Sequence, residues 1–361
     1  MFPILLKIPA KPLFFAALIL AVAAVARDLI RRRRDKTASF SSTPLYLLVG
    51  AGILSYMKTD HFFPSGGALS QVWTPVPIYA YGVMLGTSLV VGWFIAMTLA
   101  KHDGIDQQEA GTIYMWTAVW SIIGSRLLYV LTNLGEFKNN ITDIVMVNKG
   151  GLVAYGGMIG GFLASVYCCR KRGIPLLQWA DVAAPSVVLG TAITRVGCLL
   201  FGCDFGARSN VPWAIRFPQG SPAWHRHTEL YGLARDAAQS FPVHPTQIYE
   251  SLVGLFLFAM LMLIRKYRTF SGQVFLGWVL GYGILRPLIE IVRDDDQRGN
   301  VGPLSTSQFI GIVSVVLGIA LFVSLLRKYR RDPESLRLWQ HVPVKVQAKA
   351  EQGGGKRRKR G

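Results

Sequence analysis

This chain is poor in charge. Asp, Glu, Lys and Arg make up 16% of its 361 residues, and 51% of the positions are hydrophobic. A soluble domain carries about 25% charged residues, so the composition argues against one. Several apolar runs of about 18 residues or more predict instead an all-α, polytopic transmembrane helical bundle. Acids are the scarcer sign, 20 against 39 Lys and Arg, for a net charge of +19. In a soluble protein that excess suggests nucleic acid. Here the basic residues cluster beside the apolar runs and in the tail Lys356–Arg360, so membrane topology accounts for most of them and no nucleic-acid partner is expected. The tail can rest on anionic headgroups, although a plain solvated end is the commoner case. Cysteine is also sparse. There are four, with no CxxC pair and no His/Cys group at zinc spacing, so no metal site is expected. Cys198 and Cys203 flank a short loop. A disulfide between them is open if the loop is extracytoplasmic, but short-loop geometry is demanding and the free form is favoured. No internal repeat stands out, which argues against an inverted-repeat transporter.

The apolar runs place spans at about 12–29, 43–58, 77–99, 111–133, 151–169, 177–200, 245–264, 273–292 and 305–326, the first two being short. This gives seven well-defined spans after one or two N-terminal hydrophobic segments. Residues 1–76 form an N-terminal extension, 77–330 the transmembrane domain, and 331–361 a basic cytoplasmic tail read as disordered from about 340. The N-terminus imitates a signal peptide, with Lys7 and Lys11 before Leu13–Ala26. Arg31–Arg34 follow at once and resist translocation, so a retained anchor is favoured. With those arginines inside, counting spans puts Lys101, Arg170–Arg172, Arg265–Arg268 and Arg327–Arg331 on the same side. This positive-inside pattern predicts an outside N-terminus and a cytoplasmic C-terminus. The longest internal loop, about 201–244, then falls outside. Its Trp213, Trp224, His225, His227 and Tyr231 suggest an ordered interfacial layer rather than slack chain.

Two arginines stand within the apolar runs, Arg195 in AAPSVVLGTAITRVGCLLF and Arg286 in VFLGWVLGYGILRPLIEIV. A guanidinium in hydrocarbon costs several kcal/mol, about 2.5–3.5 on insertion scales, so such residues read as a site for an anion. In a membrane the abundant anion is a lipid phosphate. The bland readings are a snorkelling Arg195 and an Arg286–Glu290 structural ion pair. Arg286, Glu290 and Arg293 recur at i, i+4 and i+7 on one helical stripe, cationic by one. In VAYGGMIGG, Gly156/Gly160 and Gly157/Gly161 form small-xxx-small pairs. These let a second helix or a lipid approach the backbone, with the Tyr155 hydroxyl alongside. HPTQIYE opens a span at Pro245. His244 reads equally as a base or a cap, and Gln247 and Glu250 share a face with later turns.

Taken together, these segments resemble the prolipoprotein diacylglyceryl transferase family. The likeness covers about 77–326. IYAYGVML, GSRLLYVL, YGGMIGG, the RxGC…G turn, HPTQIYE and YGxxR…E..R fall in family order. The resemblance implies transfer of a diacylglyceryl group from phosphatidylglycerol to the lipobox cysteine of a prolipoprotein signal peptide, forming a thioether. It implies a multi-pass protein of the bacterial inner (plasma) membrane that contacts membrane lipid and needs no cofactor. Arg195 and Arg286 fall on the family's essential arginines. Tyr81, Tyr282, Gly206, Glu290 and Arg293 fall on further motif positions, and Arg126, Gly156, Gly157 and Gln247 complete the expected substrate-binding set. Tyr155, with His244, is the candidate proton acceptor. The family usually has His at Tyr155, Asn at Cys198 and an acid at Cys203, and tyrosine ordinarily ionises near pH 10, which makes it a poor base.

The implied mechanism has Arg195 and Arg286 gripping the lipid phosphate while a cysteine thiolate displaces glycerol phosphate. The departures leave a second reading, a lipid-binding or lipid-flipping relative without catalysis. A channel or ion-coupled transporter would need a continuous polar stripe on several helices, and the charges here are isolated.

Overall fold

The structure, a computed structural model, describes residues 4–9, 75–137, 141–144, 151–294, 300–336 and 338. The hydrophobic segments read at 12–29 and 43–58, and the tail beyond 340, lie outside the described residues. The chain divides into two compact units. The smaller takes residues 4–79 and 137–150. Its strands β1 (Ile4–Pro9) and β2 (Pro75–Tyr79) pair antiparallel, with Lys7 opposite Pro77 and Ile8 opposite Val76. This corrects the start of the first well-defined span, because residues 77–79 are strand. Pro75 and Pro77 lack the N–H a helix needs, while Val76 and Ile78 are β-branched.

The larger unit carries eight α-helices among the described residues: α1 (Ala80–His102), α2 (Gln107–Thr132), α3 (Ala154–Arg172), α4 (Leu176–Phe201), α5 (Pro222–Leu230), α6 (Thr246–Tyr267), α7 (Gln273–Glu290) and α8 (Thr306–Arg331). Seven fall on the seven expected spans; α5 lies in the long loop. Local chemistry sets several boundaries. The Asp106 side chain accepts from the Gln108 and Glu109 amides ahead of α2. Ser305 and Gln308 form a capping box at α8. A two-residue pair, β3 (Asn300–Val301) with β4 (Leu304–Ser305), precedes α8. By length and composition α1, α2, α4, α6 and α8 can cross a membrane, which makes this a multi-pass membrane protein. The other two long helices, α3 (19 residues) and α7 (18 residues), fall outside that set; at 1.5 Å per residue they are about 27–29 Å long, close to one hydrocarbon thickness.

Backbone proximity holds α2 against α3. A Cβ added at Gly156 would strike the Gly124 carbonyl and lie 2.6 Å from Leu128 Cβ, and one at Gly157 would lie 2.5 Å from Ser125 Oγ. The YGGMIGG glycines are thus one side of a helix seam. At one end of the unit the basic helix termini are knitted together. Arg265 Nη2 donates to Leu99 O at 3.0 Å and to Asp103 at 2.5 Å, and Arg268 bridges Asp103 (2.5 Å) and Asp181 (3.2 Å). Asp181, fully buried on α4, also accepts from the Gly272 and Phe275 amides at 2.8 and 2.9 Å. It thereby satisfies donors at the start of α7 that would otherwise be orphaned. Arg172 at the end of α3 pairs with Glu109 at the start of α2. The loop after α4 is ordered, with Phe205, Phe217, Ala223 and Val243 forming its own buried cluster. His227 belongs to it. Burial pushes its imidazole below the usual histidine range, and Nδ1 accepts the Phe241 amide at 3.1 Å.

Candidate functional site

Both intramembrane arginines lie away from the knitted basic termini. Arg195 sits within the last two turns of α4 and Arg286 one turn before the end of α7. Glu250, in the second turn of α6, lies among them. It pairs with Arg195 Nε, accepts from Arg293 Nη1 at 2.5 Å, and stands 3.9 Å from Arg286 Nε. Asp204 accepts from Arg195 Nη1 and from Arg293 Nη2, both at 2.7 Å. Arg286 Nη1 donates to Glu290 at 2.5 Å. The result is three guanidiniums and three carboxylates, formally neutral. The α7 stripe read as cationic by one is therefore corrected at the level of the site, because Glu250 and Asp204 arrive from α6 and the turn after α4.

The backbone explains the convergence. α4 ends at Gly202 in the left-handed region (φ 87°), and Asp204 follows at φ 57°, the one non-glycine with positive φ among the described residues. That conformation turns the chain back so that the Asp204 carboxylate faces Arg195. Gly206 then passes between two strands of backbone: an added Cβ would sit 2.6 Å from Val292 O and 2.7 Å from His244 Cβ. The Gly206 amide donates to His244 O at 3.0 Å, and Ala207 donates to Val292 O at 2.8 Å. This pairing ends α7 at Glu290, so Arg293 lies beyond the helix rather than on its stripe, yet is returned to the cluster. Gln247 fixes the same turn, its Nε2 donating to Cys203 O at 2.6 Å, and its buried Oε1 has no hydrogen bond.

A small cleft opens beside the cluster, lined by Val188 and Thr191 of α4, Glu250, Val253, Gly254 and Leu257 of α6, and Trp278, Tyr282, Arg286 and Ile289 of α7. One end is charged and the wall is mostly apolar. Arg286 Nη2 is buried and makes no hydrogen bond, so a donor remains uncommitted on this lining residue. Arg195 is absent from the lining; Glu250, which it pairs with, links it to the cleft.

The other expected residues are placed as follows. Tyr282 lines the cleft. Tyr81 abuts α4 at Gly197, where an added Cβ would lie 3.2 Å from Tyr81 Cα. Arg126 is buried, donates to Gly151 O at 3.0 Å and stacks on Tyr129. Gly156 and Gly157 belong to the α2–α3 seam. Tyr155 is 40% exposed at the start of α3, and His244 Nδ1 lies 3.3 Å from the Tyr249 hydroxyl. Neither Tyr155 nor His244 takes part in the cluster's ion pairs. Sequence reasoning missed Asp204 and gave Glu250 no role. The signal for Glu250 was its spacing, since it lies one turn after Gln247 on the same face. Asp204 follows Cys203, where the resemblance leads one to expect an acid. One further group was not legible from spacing: the ligand atoms of Cys198, Cys203 and Asp204 lie within 4.8 Å of one another.

The fold and site define a class: a multi-pass helical membrane protein with an arginine–carboxylate cluster, one arginine of which, Arg286, lines an apolar cleft. Comparison with known proteins sharpens it. A family model described as prolipoprotein diacylglyceryl transferase matches residues 68–324. The chain is similar to the phosphatidylglycerol–prolipoprotein diacylglyceryl transferases of Thermus thermophilus (32% identical over 265 residues, 68% of this chain and 93% of the relative), Clostridium tetani (31% over 245 residues, 68% and 92%) and Finegoldia magna (28% over 260 residues, 72% and 96%). The chain belongs to the prolipoprotein diacylglyceryl transferase family.

Proposed function

We propose that the protein transfers a diacylglyceryl group from phosphatidylglycerol to the lipobox cysteine of a prolipoprotein. The observation that carries the reading is Arg286 on the wall of a largely apolar cleft with Nη2 uncommitted. A phosphatidylglycerol molecule has the matching shape, an anionic phosphodiester on an apolar tail. Its phosphate takes the free Arg286 donor. Its acyl chains run along Val188, Val253, Leu257, Trp278 and Ile289, and Tyr282 borders the headgroup. Arg195 and Arg286 offset the charge that grows on the departing glycerol phosphate, Arg195 from beyond Glu250, in a site where low polarizability strengthens charge–charge interaction. The substrate sulfur attacks the glyceryl carbon bearing the phosphate ester, forming a C–S bond as the C–O bond breaks. His244 takes the thiol proton, since imidazole suits proton transfer near neutrality; Tyr155, at the open end of the α2–α3 seam, is the other acceptor. Gly206, Gln247, Glu290 and Arg293 hold the cluster in place, and Tyr81, Arg126, Gly156 and Gly157 complete the proposed substrate-binding set outside the cleft.

A cytoplasmic position for that end of the protein is supported by the basic termini of α1, α3, α6 and α8. With α3 and α7 also crossing, the arginine cluster faces the outer leaflet of the bacterial inner membrane, and the C-terminus is cytoplasmic. The test is incubation of purified protein with phosphatidylglycerol and a lipobox peptide, followed by mass analysis. A diacylglyceryl adduct on the cysteine is the expected product. Lipid-induced stabilisation with no adduct would support the second reading, lipid binding or flipping without transfer, which draws on Tyr155 and His244 standing outside the cluster.

A further inference from the structure

Two thiols stand where this site turns. Cys198 is buried in the last turn of α4, and Cys203 is partly exposed just beyond Gly202. Their sulfurs lie within 4.8 Å of each other and of the Asp204 carboxylate. Arg195 Nη1 reaches Cys198 Sγ at 3.8 Å, and Cys203 Sγ reaches Asp204 Oδ2 at 3.9 Å. A metal ion would have to take Asp204 from two guanidiniums, because both of its oxygens are committed to Arg195 and Arg293. The sulfurs carry only weak contacts of about 3.8–3.9 Å, so no strong hydrogen bond holds either thiol in place.

We propose that Cys198 and Cys203 form a dithiol modification site that closes to a disulfide and thereby uncouples Arg195. The inference rests on the functional reading above for its effect on transfer, but not for the chemistry of closure. The partly exposed Cys203 thiolate attacks a small disulfide, releasing one thiol that carries the Cys203 proton. Cys198 then attacks Cys203 Sγ, forming the S–S bond and releasing the second thiol with the Cys198 proton. The two cysteines lose two electrons, and the small disulfide gains them. Closure brings the sulfurs from as much as 4.8 Å to about 2.05 Å. That movement is about as long as the 2.7 Å contacts that Asp204, the next residue, makes to Arg195 and Arg293. Asp204 is already in the left-handed region, where few alternative conformations are open, so a shift of Cys203 is passed to its carboxylate.

The experiment treats the full-length protein in detergent with oxidised glutathione and maps cross-links by peptide mass. Transfer is then measured before and after reduction, with the lipid-induced shift in melting temperature measured alongside. A Cys198–Cys203 cross-link with at least a tenfold loss of transfer, restored by dithiothreitol, is expected. In Cys203→Ala the ratio of oxidised to reduced activity should be near one, whatever its absolute rate. In Cys168→Ala/Cys169→Ala the wild-type ratio should persist. No cross-link, or a cross-link that leaves transfer unchanged, overturns the proposal. If the reduced protein makes no adduct, the functional reading fails on its own. The dithiol proposal is then decided by the lipid-induced shift: a shift abolished by oxidation supports it, and a shift that is unchanged or lacking in both states overturns it.

Discussion

Replacing Arg286 alone confounds two effects, and the structure shows how to separate them. Arg286→Ala leaves Glu290 without its 2.5 Å partner, with both side chains only 8% exposed. Breaking a buried pair from one side costs about 3–5 kcal/mol, which for a chain of this size lowers the melting temperature by on the order of 10 °C. Loss of activity in that variant says little about phosphate binding. Deleting the pair as a unit does better. In Arg286→Leu/Glu290→Leu the cluster keeps Arg195 and Arg293 against Asp204 and Glu250, all at contacts of 2.7 Å or less. The other ion-pair contact given up among the described residues is the long 3.9 Å approach of Arg286 Nε to Glu250. Exchange of a buried pair for apolar residues is often close to neutral, so stability should return to within about 1–2 kcal/mol of wild type. Transfer should not return. Removing one preorganised donor for a developing oxyanion costs about 10²–10³ in rate. The assay pairs thermal unfolding in detergent with adduct formation on a lipobox peptide. A paired variant that transfers at the wild-type rate would show that Arg286 serves Glu290 alone. A paired variant as unstable as the single one would refute the ion-pair account.

At the α2–α3 seam, Gly156→Val should lower the melting temperature sharply, since even a Cβ meets the Gly124 carbonyl and Leu128 and overpacking costs about 1–3 kcal/mol or more; an unchanged melting curve would mean the helices separate freely there. His227 is buried with its imidazole held below the usual range, so the unfolded loop binds a proton that the folded loop does not. Stability is full above the ordinary histidine pKa of about 6.5 and falls as pH drops below it, by at most about 1.4 kcal/mol per unit, until the folded imidazole itself protonates. Hydrogen exchange across 213–241 at pH 7 and pH 5 checks this, and His227→Gln should flatten the difference. Because the arginine cluster is neutral, phosphatidylglycerol binding should change by less than about threefold between low and high salt, buried charges being weakly screened; a steep decline would point to a net cationic site.

Regular features of the fold were legible because they follow from periodicity and composition. The apolar runs place seven helices to within a few residues of where they lie, and the span-end arginines identify the termini that gather at one end. The site was only half legible. Arg195 and Arg286 announce themselves by their sign in apolar surroundings. Their partners do not, because Glu250 reads as an acid in the first turns of a helix and Asp204 as a loop residue. What joins them is backbone conformation: a left-handed glycine, an aspartate at φ 57°, and Gly206 threaded between His244 and Val292. None of these leaves a periodic trace. The glycines of α3 show the opposite limit, since the same spacing serves a lipid or a helix, and only packing tells that α2 lies against them.

Neutrality changes what the arginines can do for a lipid. A net cationic pocket would draw any anion, including inorganic phosphate, by charge alone. Three guanidiniums already matched by three carboxylates offer no such pull. On the proposed reading, an entering phosphate gains instead from Arg286 Nη2, a buried donor without a hydrogen bond among the described residues, and from displacing a carboxylate it can outcompete. Glu290, bound through a single arginine, is the easier to displace, whereas Glu250 pairs with Arg195 and Arg293 at once. The acyl chains add little driving force, because hydrocarbon in the cleft resembles hydrocarbon in the bilayer. They align the headgroup instead, since only a molecule whose tail fills the apolar wall brings its phosphate to the charged end. On that reading, selection for a lipid over a free anion comes from geometry, and the balance of charge keeps the resting site folded within the membrane.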